Sequence, residues 1–151
     1  MPTAKPISKK PASKTQAKPA HKVYNTPLPK KLGIAEEMQV ALIAAPDGFE
    51  ESLGELPPGV IFSTSVGFST GLALCFVRSL SDLAAMTDLL GVRLPGQTHF
   101  WIIYPKRAGR YKVDFNENHV REAGLTAGFV DYKVCSVDND WSGLKFSRRK
   151  T

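Results

Sequence analysis

Four cations, Lys106, Arg107, Arg110 and Lys112, stand within the segment PKRAGRYK, which directly follows the apolar run THFWIIY. Arginine presents a planar fork of donors that holds a phosphate or carboxylate in two parallel bonds, and lysine adds a mobile point charge. Capture of a small anion is the chemistry such a cluster offers, and a solvated loop is the plain alternative. Lys106, next to the run, and Arg110 are the candidates drawn from it. A second segment, DNDWSG, sets Asp138, Asp140 and Ser142 at alternate positions before Gly143, as a calcium loop begins. The complete loop requires a glutamate at its twelfth position. The residue there is Arg149, which excludes calcium. Asp138 and Trp141 remain as candidate ligand contacts, with Trp141 better suited to covering the end of a sheet.

A third segment, AAPDGFEE, follows the apolar run QVALIAA. The turn after a first strand is where many α/β proteins hold a nucleotide. Asp47 and Gly48 are the residues that could face a ligand there. Asp47 also stands three residues before Glu50, the spacing of a capping box. As the cap of a short helix it would contribute about 1 kcal/mol.

Other chemistry is missing. The chain has no nucleophile elbow and no phosphate-cradling loop. His21, His99 and His119 have no Cys or His partner at metal-ligand spacing, so no metal is expected. Cys75 and Cys135 lie inside apolar runs and read as structural thiols of a reducing compartment. No residue is assigned a catalytic role, no cofactor is expected, and the expected location is cytoplasmic.

The elements that must position these residues belong to one domain. The 42% hydrophobic and 23% charged content of the 151 residues is that of a globular protein with a single core. No run approaches the roughly 20 apolar residues of a membrane span. Charge is segregated: residues 1–31 hold eight lysines, six of the 11 prolines and no acid. Such a stretch has almost nothing to bury against its ordering entropy, so a disordered Lys/Pro/Ala-rich tail is expected over residues 1–30. Lys5, Lys9, Lys10, Lys14, Lys18 and Lys22 could neutralise phosphates of a nucleic acid without sequence preference. A tail that only aids solubility is the alternative.

Residues 31–151 read as the domain. QVALIAA (39–45), GVIFSTS (59–65), LALCFV (72–77), THFWIIY (98–104) and FVDYKVCSV (129–137) are the strands, and LALCFV is apolar throughout, like a strand covered on both faces. A short helix, DGFEESLG (47–54), follows the first strand. Ser79 and Asp82 open a helix through Leu90, stopped by Gly91. A third helix starts near Asp114 or Asn116 and ends at Gly128, with Val120, Ala123, Gly124 and Ala127 on one face. LKFSRR (144–149) returns as an antiparallel edge strand. Strand–helix alternation with right-handed crossovers predicts an α/β three-layer sandwich: a mostly parallel Rossmann-like sheet closed by one antiparallel strand. Ligands of such sheets collect outside the carboxyl ends of the strands, which here carry APDGFEE, VRSLSD, YPKRAGRYK and VDNDWSG.

The segments LGVRLPGQTHFWIIYPK, REAGLTAGFVDYKVCSV and WSGLKF resemble the class I methyltransferases, a Rossmann-like family that binds S-adenosylmethionine. More closely, residues 31–150 resemble a family of small bacterial proteins known only as a domain of unknown function, through KLGIAEEMQVALIAAPDGFEE, YPK, REAG and DWSGLKF. The resemblance implies a methyltransferase-like fold. It stops at the cofactor, because the glycine-rich turn reads A-A-P-D-G-F-E and FSTSVGFSTG offers no acid for the ribose. The reading that follows is a non-catalytic domain binding a partner protein or a small anionic ligand. The alternatives are an enzyme with a repurposed carboxyl-edge pocket using Lys106, Asp138 or Asp47, and a nucleic-acid accessory acting through its tail.

Overall fold

The continuous apolar runs become the centre of one sheet. A computed structural model describes residues 26–150; the tail lysines from Lys5 to Lys22 lie outside them. In chain order the elements are α1 (Leu28–Leu32), β1 (Gln39–Ile43), α2 (Phe49–Ser52), β2 (Ile61–Ser63), β3 (Thr70–Phe76), α3 (Leu80–Arg93), β4 (His99–Pro105), α4 (Glu117–Thr126), β5 (Phe129–Ser136) and β6 (Trp141–Arg148). The six strands form one sheet in the order β2-β1-β3-β4-β6-β5. β1, β2, β3 and β4 pair in parallel, and β6 is antiparallel to both of its neighbours. The three-layer α/β arrangement is therefore as expected.

β3 and β4 are buried on both faces, which is why their sequences do not alternate. On one face Ala73, Cys75, Phe100, Ile102 and Phe146 pack beneath α3 and α4. On the other, Leu72, Leu74, Phe76, Trp101 and Ile103 pack with Leu32 and Phe49 of the short α1 and α2. α4 lies close to the sheet through Gly124: a Cβ there would stand 2.2 Å from Cε2 of Phe146.

Four expectations are corrected. β6 is an interior strand and β5 the edge, because the returning chain inserts between β4 and β5. Lys145 makes β6 look like an edge, yet its ammonium lies over the Trp101 ring, 5.6 Å from the centroid, a cation–π contact that a half-buried strand position can hold. α1 crosses the tail boundary placed at residue 30, since Pro29 and Leu32 are buried and Trp101 Nε1 donates to the Leu32 carbonyl at 2.8 Å. Gly91 does not stop α3, which runs to Arg93 and brings Leu90 and Leu94 into the core. Burial of those two leucines outweighs the roughly 1 kcal/mol cost of a helical glycine. Ser79 caps α3 as expected, accepting from Asp82 N at 2.9 Å. Asp47 does not cap α2: Gly48 takes the N-cap position at φ 83° with no side-chain bond. That left-handed residue moves the helix start past the reach of the Asp47 carboxylate.

Candidate functional site

The parallel strands deliver four loops to one edge of the sheet, and the two halves of that edge differ. In the first half, β1 is followed by Ala44, which adopts a left-handed φ of 60°. Phe49 N then donates to the Pro46 carbonyl at 3.1 Å, closing the turn. Across it reaches Arg78, from the end of β3. Its Nη1 donates to the Ala44 carbonyl at 2.9 Å, and its guanidinium lies 5.2 Å from the Trp141 ring centroid. Beneath it runs a file of aromatic rings: Phe49 to Phe76 at 4.8 Å, Phe76 to Trp141 at 5.1 Å and Trp141 to Tyr111 at 5.3 Å. Phe49 and Trp141 are 4% and 3% exposed, so neither ring has a free face for a ligand. Asp47 and Gly48 line a recess of about 370 Å³ beside this turn.

In the second half, the loops after β4 and β5 brace one another. Asp138 Oδ1 accepts from the amides of Asp140 and Trp141 at 2.8 and 2.9 Å, folding DNDWSG into a tight turn. Asp140 then receives Lys106 N on its carbonyl at 2.8 Å. Its carboxylate takes Arg110 N at 3.0 Å and pairs with Arg110 Nε at 3.1 Å. Gly109 permits the contact, since a Cβ there would meet Asp140 Cα at 2.8 Å. Arg110, Asp138 and Trp141 are thus committed to the brace. The Lys106 ammonium donates to Ser136 Oγ at 2.6 Å.

Beyond the brace the same loop overhangs a cleft of about 930 Å³ between the end of β4 and the start of α4. Lys106, Arg107 and Lys112 line its loop side, Asp114 and Glu117 its helix side, and Tyr104 and Ser142 its floor. Arg107 and Lys112 form no ion pair among the described residues. Glu117 is already engaged: it accepts from the Tyr104 hydroxyl at 3.4 Å and pairs with Arg121 Nη2 at 2.6 Å. Arg121 Nε also holds Asp131 at 2.9 Å. Burial, with smaller help from Glu117, pushes the Tyr104 phenol above its usual range, against the pull of its Ser142 bond. Asn116 caps α4, accepting from Asn118 N at 2.9 Å, and His119 Nδ1 completes the box by accepting from Asn116 N at 3.1 Å.

The structure therefore separates residues that the sequence groups along one edge. The recess holding Asp47 and Gly48 shares no lining residue with the cleft holding Lys106. Arg78 is the residue missed by sequence reasoning. Its signal was its place, a cation two residues after the central apolar strand in VRSLSD. No group of three or more His, Cys, Asp or Glu is placed to hold a metal among the described residues. Cys75 is fully buried, and burial pushes its thiol far above the usual range. Burial also raises the Cys135 thiol, partly offset by Lys31, Lys133 and Lys106.

Comparison with solved structures finds a similar fold in S-adenosylmethionine-dependent methyltransferases. The chain is similar to a methyltransferase from Aquifex aeolicus, with a TM-score of 0.59 and 13% identity over 80% of this chain and 87% of that one. It is similar to a protein assigned as a type 11 methyltransferase from Sulfolobus solfataricus, with 0.55 and 14% over 82% and 90%. A protein assigned as an S-adenosylmethionine-dependent methyltransferase from Listeria monocytogenes gives 0.54 and 8% over 82% and 95%. At these identities the likeness is one of fold. No family model matches the sequence, and no curated protein matches it significantly. Among the described residues, no helix is long and apolar enough to cross a membrane.

Proposed function

We propose that this chain is a methyltransferase-fold domain that does not use S-adenosylmethionine and instead binds a small anionic ligand in the cleft beneath the β4–α4 loop. The observation that carries the first part is Arg78 spanning the edge from the Ala44 carbonyl to Trp141. The residues there do not suit an adenosyl group. Pro46 has no amide to offer a ligand, the Ala44 carbonyl is taken, and no acid follows β2 to meet a ribose. The anionic ligand is supported by Arg107 and Lys112, unpaired on the loop side of a cleft large enough for a small molecule. Lys106 adds a third charge at the strand end.

Calorimetric titration of the full chain with S-adenosylmethionine is expected to show no binding at micromolar concentrations. Low-micromolar affinity would overturn the reading. Millimolar inorganic phosphate is expected to raise the melting temperature by mass action, and the double substitution Arg107→Ala and Lys112→Ala to abolish that rise. An equal rise in the double variant would remove the cleft as the site.

A second reading, an enzyme acting in the same cleft, is favoured by the Tyr104–Glu117 pair on its wall. Against it, Lys106 is not brought together with Asp138 or Asp47. Asp138 holds a turn and Asp47 lines the other recess.

A further inference from the structure

The face of the sheet beneath α1 carries lysines that pair with no acid among the described residues. Lys133 on β5 stands directly opposite Lys145 on β6, a like-charge cross-strand pair that is destabilising. Among the described residues, their ammonium groups bond only to neutral oxygens. Lys133 Nζ donates to the Lys31 carbonyl at 3.3 Å and Lys145 Nζ to the Leu32 carbonyl at 3.4 Å. None of Lys31, Lys133 and Lys145 forms an ion pair among the described residues. Between them, at the β-bulge after Asp131, sits Tyr132, which is 50% exposed. Its hydroxyl bonds His99 Nδ1 and its ring lies 5.9 Å from Lys145 Nζ. The result is a fixed aromatic ring within a set of unneutralised lysines.

We propose that this face binds a single-stranded nucleic acid, with Lys31, Lys133 and Lys145 meeting phosphates and the Tyr132 ring stacking on a base. A basic track with an aromatic platform is the combination that holds single strands without sequence preference. An acidic peptide would answer the lysines but leave the ring without a role. The patch is separate from the anion cleft, since none of its four residues lines it. It is also placed to share a long polyanion with the N-terminal lysines. Residues 1–25 carry six of them and no acid, and they join the described chain two residues before α1, which bears Lys31. A bound phosphate would relieve the repulsion between Lys133 and Lys145.

The test is fluorescence anisotropy of a labelled oligothymidylate titrated with the full chain at several salt concentrations. The double substitution Lys31→Gln and Lys133→Gln is expected to weaken binding by about tenfold or more and to lower the salt slope by about 1.4, at about 0.7 per single-strand phosphate contact. Tyr132→Ala is expected to weaken it by about fivefold or more with the slope unchanged. Lys133→Gln should melt at or above the wild-type temperature, because it removes a repulsion, so lost binding will not reflect lost folding. Wild-type affinity and slope in the double variant would overturn the proposal, because the contacts would then lie in the tail. Wild-type affinity in Tyr132→Ala would overturn the stacking contact. Displacement of the oligonucleotide by polyglutamate at equal charge concentration would assign the face to acidic protein instead.

Discussion

The two faces of the sheet solve the same covering problem differently. On one face α3 packs through Leu83, Met86 and Leu90, α4 comes close through Gly124 against Phe146, and the margin is closed by Arg121 between Glu117 and Asp131. On the other face the helices α1 and α2 have only five and four residues and cover the sheet through Leu32 and Phe49, packed with the large Trp101 ring. The first face matches its charges and the second does not. A face that keeps lysines opposed at a cost to stability is where a partner is to be sought.

The largest expected effect sharpens this contrast from the sparsely covered side. Trp101 is fully buried and its indole N–H is bonded to the Leu32 carbonyl. Gly143 leaves room for the ring, since a Cβ there would stand 2.9 Å from Trp101 Cε3. Trp101→Ala removes the ring and detaches α1 together, and a loss of about 3–5 kcal/mol is expected in denaturant unfolding. A loss below 1 kcal/mol would mean that α1 and its lysines are held by something else.

How far these faces could be read from sequence follows from the range of the forces involved. LALCFV and FWIIY declare central strands because both faces of each are apolar, and Ser79 with Asp82 declares a helix start within four residues. The small face of α4 was legible in Val120, Ala123, Gly124 and Ala127. What was hidden depends on distant partners. LPKKL reads as tail until Trp101, 69 residues away, gives the Leu32 carbonyl a donor. Insertion of β6 between β4 and β5 leaves no local mark, and Lys145 argues for an edge until its ammonium is seen over an indole. Arg78 likewise has no partner in its own segment for its guanidinium. Asp138 and Arg110 lie in the loops after β5 and β4, where sequence alone does not distinguish a ligand contact from the brace that the two loops form.

The next effect tests the densely packed side. Gly124→Ala adds a methyl group into the fully buried Phe146 ring. Overpacking of this kind costs about 1–3 kcal/mol, offset by up to about 1 kcal/mol of helix propensity. A net loss of about 1–2 kcal/mol is expected in urea unfolding. A gain in stability would show that α4 can lift from the sheet, and the contrast between the faces would weaken.

The smallest effect reads the unmatched charge directly through pH. Burial, and then the nearby Lys145, hold the His99 imidazole below its ordinary value of 6.5. The unfolded chain therefore takes up this proton at a higher pH than the folded one. The stability that depends on neutral His99 is fully present above about 6.5 and is lost as pH falls through that value toward the folded one. Unfolding midpoints are expected to fall between pH 7 and pH 5 in wild type, and to fall less in His99→Gln. Lys145→Gln should also reduce the fall, since it removes the charge that opposes protonation. Equal pH dependence in all three proteins would mean that Lys145 does not act on this face as a free charge, and the argument for a polyanion there would lose its electrostatic basis.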